Sequence, residues 1–283
     1  MAKKFAQLPW YCRVLIEAAA IYVFVVVGVF IFQRSLEYFP YNAPMGTPAA
    51  SGVPEMSPVY VTTADGLELV AWFAPPKKKN GDVVLFFHGN GGNIEMRSNK
   101  ARILIDHGYG VFLSEYRGYG GNPGSPTEQG LYEDGRAALK WLESKGYQQG
   151  RIVIYGESIG TGIAVQMALE LQPKYLILVA PFTSAAAVAK DAYHNLLPVD
   201  LLMHDRYDSF DKIAKIKTDL LVVHGTADEI VPTKFGIQLF KAANQLKRLI
   251  LVHGANHTDL YDFGAGPLIA DWLDKQVAGE KAR

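Results

Sequence analysis

The hydrophobic pattern of this chain changes character near residue 40. Val14 to Phe32 is a run of 19 residues with one charge, Glu17. As a helix it is roughly 28 Å long, close to the hydrocarbon thickness of a bilayer. Trp10, Tyr11 and Tyr38 stand where interfacial aromatics would. The pattern predicts an N-terminal membrane anchor over residues 1–40, with its span at 14–32. A cleaved signal peptide is the rival reading, but no small-x-small cleavage site follows Phe32. Lys3, Lys4 and Arg13 precede the span and Arg34 alone follows closely. This asymmetry predicts a cytoplasmic N-terminus and a body on the non-cytoplasmic side. Residues 40–58 then hold five prolines, which predicts an extended linker over 41–58.

Beyond the linker the apolar runs are short and recur. Val59–Thr63 and Leu67–Phe73 read as strands joined by the turn Ala64-Asp65-Gly66. Val83 to Phe87 is apolar throughout, as suits a strand covered on both faces. Helices are predicted at 94–107, 127–145, 159–171, 232–243 and 266–279. Strands are predicted at 110–116, 151–155, 175–180, 219–224 and 248–253. This alternation predicts an α/β catalytic domain over 59–283, with a mostly parallel, doubly wound, eight-stranded sheet. Ligands of such sheets bind beyond the carboxyl ends of the strands. One interval breaks the rhythm. Between the strands at 175–180 and 219–224 a short lid is predicted over 181–212, with one helix at 185–197 and a loop after it. Its apolar residues, among them Tyr193, Leu197 and Leu202, either line a substrate channel or pack on the domain.

Charge narrows the function classes. Lys+Arg and Asp+Glu both number 28, so the net charge is zero and nothing points to nucleic acid. A single cysteine, Cys12, leaves no internal disulfide framework or cysteine metal cluster to build.

The candidate chemistry sits at the predicted strand ends. Gly156-Glu157-Ser158-Ile159-Gly160 follows a strand and opens a helix, the context in which a sharp turn presents a serine nucleophile. A serine hydroxyl needs a neighbouring base, and that base needs a carboxylate to orient it. Asp228, past the strand at 219–224, and His257, past the strand at 248–253, supply both. Glu229 is the main alternative acid. His253 is expected to be fixed in the sheet, and His224 to be structural. Acyl transfer also requires donors for an oxyanion. The backbone N–H of Ile159 is one candidate. The other lies in His88-Gly89-Asn90-Gly91-Gly92-Asn93, where Asn90 is the choice. That glycine-rich loop also suits a phosphate, but neither a P-loop lysine-serine pair nor a dinucleotide fingerprint accompanies it. Arg117, at another strand end, is expected to pair with a carboxylate and brace its loop.

Together these segments carry a resemblance. They are Gln33-Arg34-Ser35-Leu36-Glu37-Tyr38-Phe39-Pro40, His88-Gly89-Asn90-Gly91, Tyr116-Arg117-Gly118-Tyr119-Gly120 and Gly124-Ser125-Pro126-Thr127-Glu128. The elbow pentapeptide, Asp205-Arg206-Tyr207-Asp208-Ser209, His224 to Pro232 and His257 complete the set. The chain resembles an alpha/beta-hydrolase-fold serine hydrolase. It is similar to the membrane-anchored branch that includes acyl-protein depalmitoylases and monoacylglycerol or lysophospholipid lipases. The resemblance implies a Ser158-Asp228-His257 triad, a small-molecule or lipid acyl ester as substrate, and no metal or organic cofactor. Two other readings stand beside it: a serine peptidase of the same fold, and a non-catalytic anchored binding protein.

Overall fold

The computed structural model describes residues 8–244 and 246–281. Lys3 and Lys4, which bear on sidedness, lie outside them. The sheet starts from β4 (Val83–Phe87), all five residues of which are buried. Its side chains alternate between two cores. Val83, Leu85 and Phe87 join one cluster, Val84 and Phe86 the other, as the two-residue period of a strand requires. On either side stand β6 (Gly110–Ser114) and β7 (Ile152–Glu157), both parallel to it. β8 (Tyr175–Val179), β9 (Asp219–Gly225) and β10 (Lys247–Val252) extend the sheet in parallel from β7. Beyond β6 the hairpin of β2 (Ser57–Thr62) and β3 (Glu68–Ala74) closes the other edge antiparallel. The order is β10-β9-β8-β7-β4-β6-β3-β2, eight strands as the runs predict.

Helices cover both faces. On one lie α3 (Glu128–Ser144), α4 (Ile159–Leu171) and α8 (Thr233–Ala242), packed through Leu131, Ile163 and Leu239. On the other lie α2 (Ser98–Asp106) and α9 (Ala265–Lys281), packed through Leu104, Ile105, Ile269 and Leu273. The helix expected at 94–107 begins as a 3-10 turn, Ile94–Arg97, before α2.

Two regions differ from the sequence reading. The stretch 41–58 is less extended than its prolines suggest. The Ser51 N–H turns back onto the Thr47 carbonyl at 3.1 Å, and the turns that follow bring Val53 and Met56 into the core with Leu104 and Ile105 of α2. The 181–218 segment is not one helix and a loop. It carries α5 (Ala185–Ala192), α6 (Val199–Leu202) and α7 (Phe210–Ile213). His194 and Asn195 take positive φ values of 50° and 58°, which ends α5 and reverses the chain.

The N-terminal helix α1 (Trp10–Glu37) is long and apolar enough to cross a membrane, and none of its residues is fully buried. It does not end in a free linker. Tyr38 is 3% exposed, and its hydroxyl shares a 2.8 Å hydrogen bond with Tyr207 of the 181–218 segment. The next residues form β1 (Phe39–Pro40), which pairs parallel with β5 (Gly91–Gly92) in the loop after β4.

Candidate active site

The turn after β7 is tight because of what flanks it. A Cβ on Gly160 would lie 2.2 Å from the Phe87 carbonyl oxygen, and one on Gly156 would lie 2.5 Å from that of Gly160. Only glycine permits α4 to start this close to β4 and β7. Ser158 itself takes φ 52° and ψ −121°, a backbone state costing roughly 1–3 kcal/mol, of the kind found at reactive sites. Its N–H donates to the Val179 carbonyl at 2.9 Å, and the Ser158 carbonyl accepts from Thr161 Oγ1 at 2.6 Å. The strained serine is thereby held from both sides.

The loops after β9 and β10 deliver the partners expected from the sequence. His257 Nε2 lies 2.8 Å from Ser158 Oγ, and its Nδ1 lies 2.8 Å from Asp228 Oδ2. With Nδ1–H donating to the carboxylate, Nε2 is left to accept the serine proton. The Asp228 carboxylate is fully buried, and its other oxygen accepts the Val231 and Ile230 N–H groups at 2.7 and 3.0 Å. Burial pushes the Asp228 carboxyl up. Hydrogen bonds from His224, His257 and Val231 outweigh that and hold it well below the usual carboxylate range.

His224 does more than fill the core. It is fully buried, its Nε2 stands 2.8 Å from the Val231 carbonyl and 3.2 Å from Asp228 Oδ2, and the two acceptors make it a donor. Its position in a strand terminus signalled burial but not the direction of its ring. Glu229 is exposed, and its N–H donates to Asn256 Oδ1 at 3.2 Å. His253 lies exposed on the turn after β10 rather than fixed in the sheet, because β10 ends at Val252. Arg117 pairs with Asp134 at 2.7 Å and Asp65 at 2.7 Å, bracing its loop as expected.

The residue beside the serine also has a defined partner. Glu157 forms an ion pair with Lys100 of α2, whose ammonium lies 4.6 Å from the centre of the Tyr261 ring. Burial raises the Glu157 carboxyl, but Lys100 and Arg97 overrule it and leave it below its ordinary range.

The loop after β4 is clamped from behind. His88 is fully buried, with Nε2 2.8 Å from Glu115, which in turn accepts the Ile94 N–H at 2.8 Å. Asn90 uses its side chain to hold the N-terminal region. Its Nδ2 donates to the Glu37 carbonyl, and its Oδ1 accepts from the Phe39 N–H and the Tyr119 hydroxyl. Asn90, Ile159 and Ser158 line one cavity of about 380 Å³. Its walls are apolar: Phe182, Val188, Leu197 and Met203 on one side, and Val29, Phe30 and Leu36 of α1 on the other. The contribution of α1 had no signal in the sequence. Glu37 also lines the cavity, and both its carboxylate oxygens are enclosed without a hydrogen-bond partner.

Comparison with known proteins agrees with this architecture. A family model described as serine aminopeptidase, S33, matches residues 78–204. An uncharacterised protein of Mycobacterium tuberculosis is 41% identical over 255 residues, covering 88% of this chain and 89% of that one. Alpha/beta hydrolase domain-containing protein 17B of Homo sapiens is 31% identical over 208 residues, covering 71% of this chain and 69% of its own. Among solved structures, the Pyrococcus furiosus esterase Pf2001 superposes with a TM-score of 0.67 at 19% identity, over 84% of this chain and 97% of that one. The chain belongs to the alpha/beta-hydrolase family of hydrolases.

Proposed function

We propose that the protein is a membrane-anchored serine hydrolase that cleaves carboxylic esters or thioesters carrying an acyl chain. One observation carries the reading: the hydrogen-bonded line Ser158–His257–Asp228 opens onto an apolar cavity. Ser158 Oγ attacks the acyl carbonyl carbon as its proton passes to His257 Nε2. Asp228 holds the imidazole in the required tautomer and stabilises its charged form. The N–H groups of Ile159 and Asn90 receive the oxyanion. His257 returns the proton to the departing alcohol or thiol, and water, activated by the same imidazole, releases the acid. Residues 181–212 act as the lid over the cavity, α1 as the anchor, and the body faces the non-cytoplasmic side.

Fluorophosphonate labelling tests the reading. The parent protein is expected to label, and Ser158→Ala and His257→Ala are not. An unlabelled parent sinks the enzyme reading, and a labelled Ser158→Ala variant moves the nucleophile elsewhere. A chain-length series of p-nitrophenyl esters should then favour longer acyl groups. Protection of the body from protease added to cells stripped of any outer membrane would place it on the cytoplasmic side.

A serine aminopeptidase is the second reading. The unpartnered Glu37 carboxyl in the cavity wall is the observation that favours it: burial raises its pKa to about 9, and a substrate amine entering there would take up its proton and become its partner. Turnover of a peptide amide with a free N-terminus, at a rate above that of the acyl esters, would decide for it.

A further inference from the structure

We propose that α1 is one wall of the acyl-binding site, and that the site takes the acyl chain of a bilayer lipid sideways, between α1 and the 181–218 segment. The proposal rests on the serine hydrolase reading above and names where its substrate resides. The occupant it commits to is a lipid drawn from the membrane, not an ester arriving from water.

The cavity runs from Ser158 and Ile159 to Val29 and Phe30. Val29 and Glu37, both in its wall, stand eight residues apart on α1, or about 12 Å along a helix. Val29 and Phe30 also belong to the apolar run 14–32. The same side chains therefore line the cavity and sit in the stretch suited to hydrocarbon.

The opposite wall is fastened to α1 at several depths. Arg34 pairs with Asp205 at 3.0 Å. Gln33 donates to the Leu202 carbonyl and accepts from the His204 N–H, at 3.2 and 2.8 Å. Phe30 meets the His204 ring edge-on at 5.1 Å. Farther along, the Tyr22 hydroxyl donates to the Leu196 carbonyl at 3.0 Å. Tyr22 lies in the middle of the apolar run, so the tip of the segment cannot stay in bulk water while that run is in lipid. The tip is dressed for this. Leu196 is 70% exposed and Leu201 86% exposed, a cost in water that vanishes against acyl chains.

This geometry gives the lipid a direct route. Its chain lies along Val29 and Leu36 on one side and Leu197 and Leu202 on the other. Its ester reaches Ser158 near the end of α1, at the level where Arg34 and Glu37 end the apolar surface. The chain is never transferred through water, so its hydrophobic transfer cost is never incurred.

The full-length protein in phosphatidylcholine vesicles provides the test. A fluorophosphonate with a C16 chain and a terminal-half diazirine is attached to Ser158 and photolysed. Crosslinks to peptides containing residues 29–36 support the proposal. Labelling without any crosslink to α1 overturns it, and no labelling at all sinks the underlying serine hydrolase reading instead. In a second arm a slowly exchanging long-chain ester is placed either in the same vesicles as the protein or in separate ones. Hydrolysis at least tenfold faster in the shared vesicles is the expected result. Equal rates would mean delivery through water and would overturn lateral entry. As a third arm, Val29→Trp should lower the ratio of long-chain to butyryl-ester kcat/KM at least tenfold, and an unchanged ratio counts against the wall.

Discussion

The His257 ring stands 2.8 Å from both Ser158 and Asp228, and Asp228 is itself held by His224 and the Val231 and Ile230 amides. Asp228→Asn should leave KM nearly unchanged and lower kcat by roughly 10⁴-fold through the wrong imidazole tautomer, as steady-state hydrolysis of a p-nitrophenyl ester would show. The same carboxylate couples stability to pH. Its native pKa is depressed, so the stability it contributes is present above the ordinary carboxylate pKa of about 3.9 and is lost as pH falls through the depressed value. Urea unfolding of the parent and Asp228→Asn across pH 3–7 should therefore show a gap that narrows toward the acid end. A gap that widens there would contradict the assignment. Gly160→Ala makes a separate prediction. The 2.2 Å approach to the Phe87 oxygen leaves a methyl group no room, so the variant should unfold at least several °C below the parent, corresponding to roughly 2–3 kcal/mol or more. At this scale the sequence was informative where spacing from a strand end decides the answer, as for Ser158, Asp228 and His257. It was silent where side-chain direction decides it, as for His224 and for the unpartnered Glu37.

The elements with continuous apolar runs emerged within a few residues of their predicted ends, because burial on both faces leaves β4, β7 and β8 no other pattern. The 181–218 segment did not, since its shape is set by distant contacts. Asp205 accepts the first N–H of α3 at 3.1 Å, Glu128 accepts the Arg206 and Tyr207 N–H groups, and Tyr207 seats its ring on Gly162 of α4 with φ 47°. Each of these pegs pairs residues far apart in the chain. They also rank two substitutions. Asp205 is buried and serves both Arg34 and the Glu128 N–H, whereas the Arg34 side chain is 51% exposed. Asp205→Ala should cost about 1–3 kcal/mol by stranding a buried donor, and Arg34→Ala about 0–1 kcal/mol. Chemical denaturation, with proteolytic nicking between residues 185 and 210 as a local readout, would check the order.

Across the whole molecule, the boundary expected between an anchor and a separate catalytic body is not where the contacts lie. Tyr38 is buried against Tyr207, and β1 pairs with β5. A chain beginning at residue 41 should therefore melt on the order of 5–10 °C lower than the intact protein in the same detergent. Differential scanning fluorimetry would measure this, and an unchanged melting temperature would show that these contacts contribute nothing. A 19-residue apolar run announces a helix long enough to cross a bilayer without saying which of its side chains meet protein, so this junction was not legible beforehand.

The two-residue pairing of Phe39–Pro40 with Gly91–Gly92 limits how the chain can be taken apart. The strand that continues α1 is paired with the loop beside Ser158, so the N-terminal helix and the site are not interchangeable modules. A foreign apolar helix joined at residue 41 would leave the cavity without Val29, Phe30, Leu36 and Glu37. Such a chimera should therefore turn over an acyl ester more slowly than the parent.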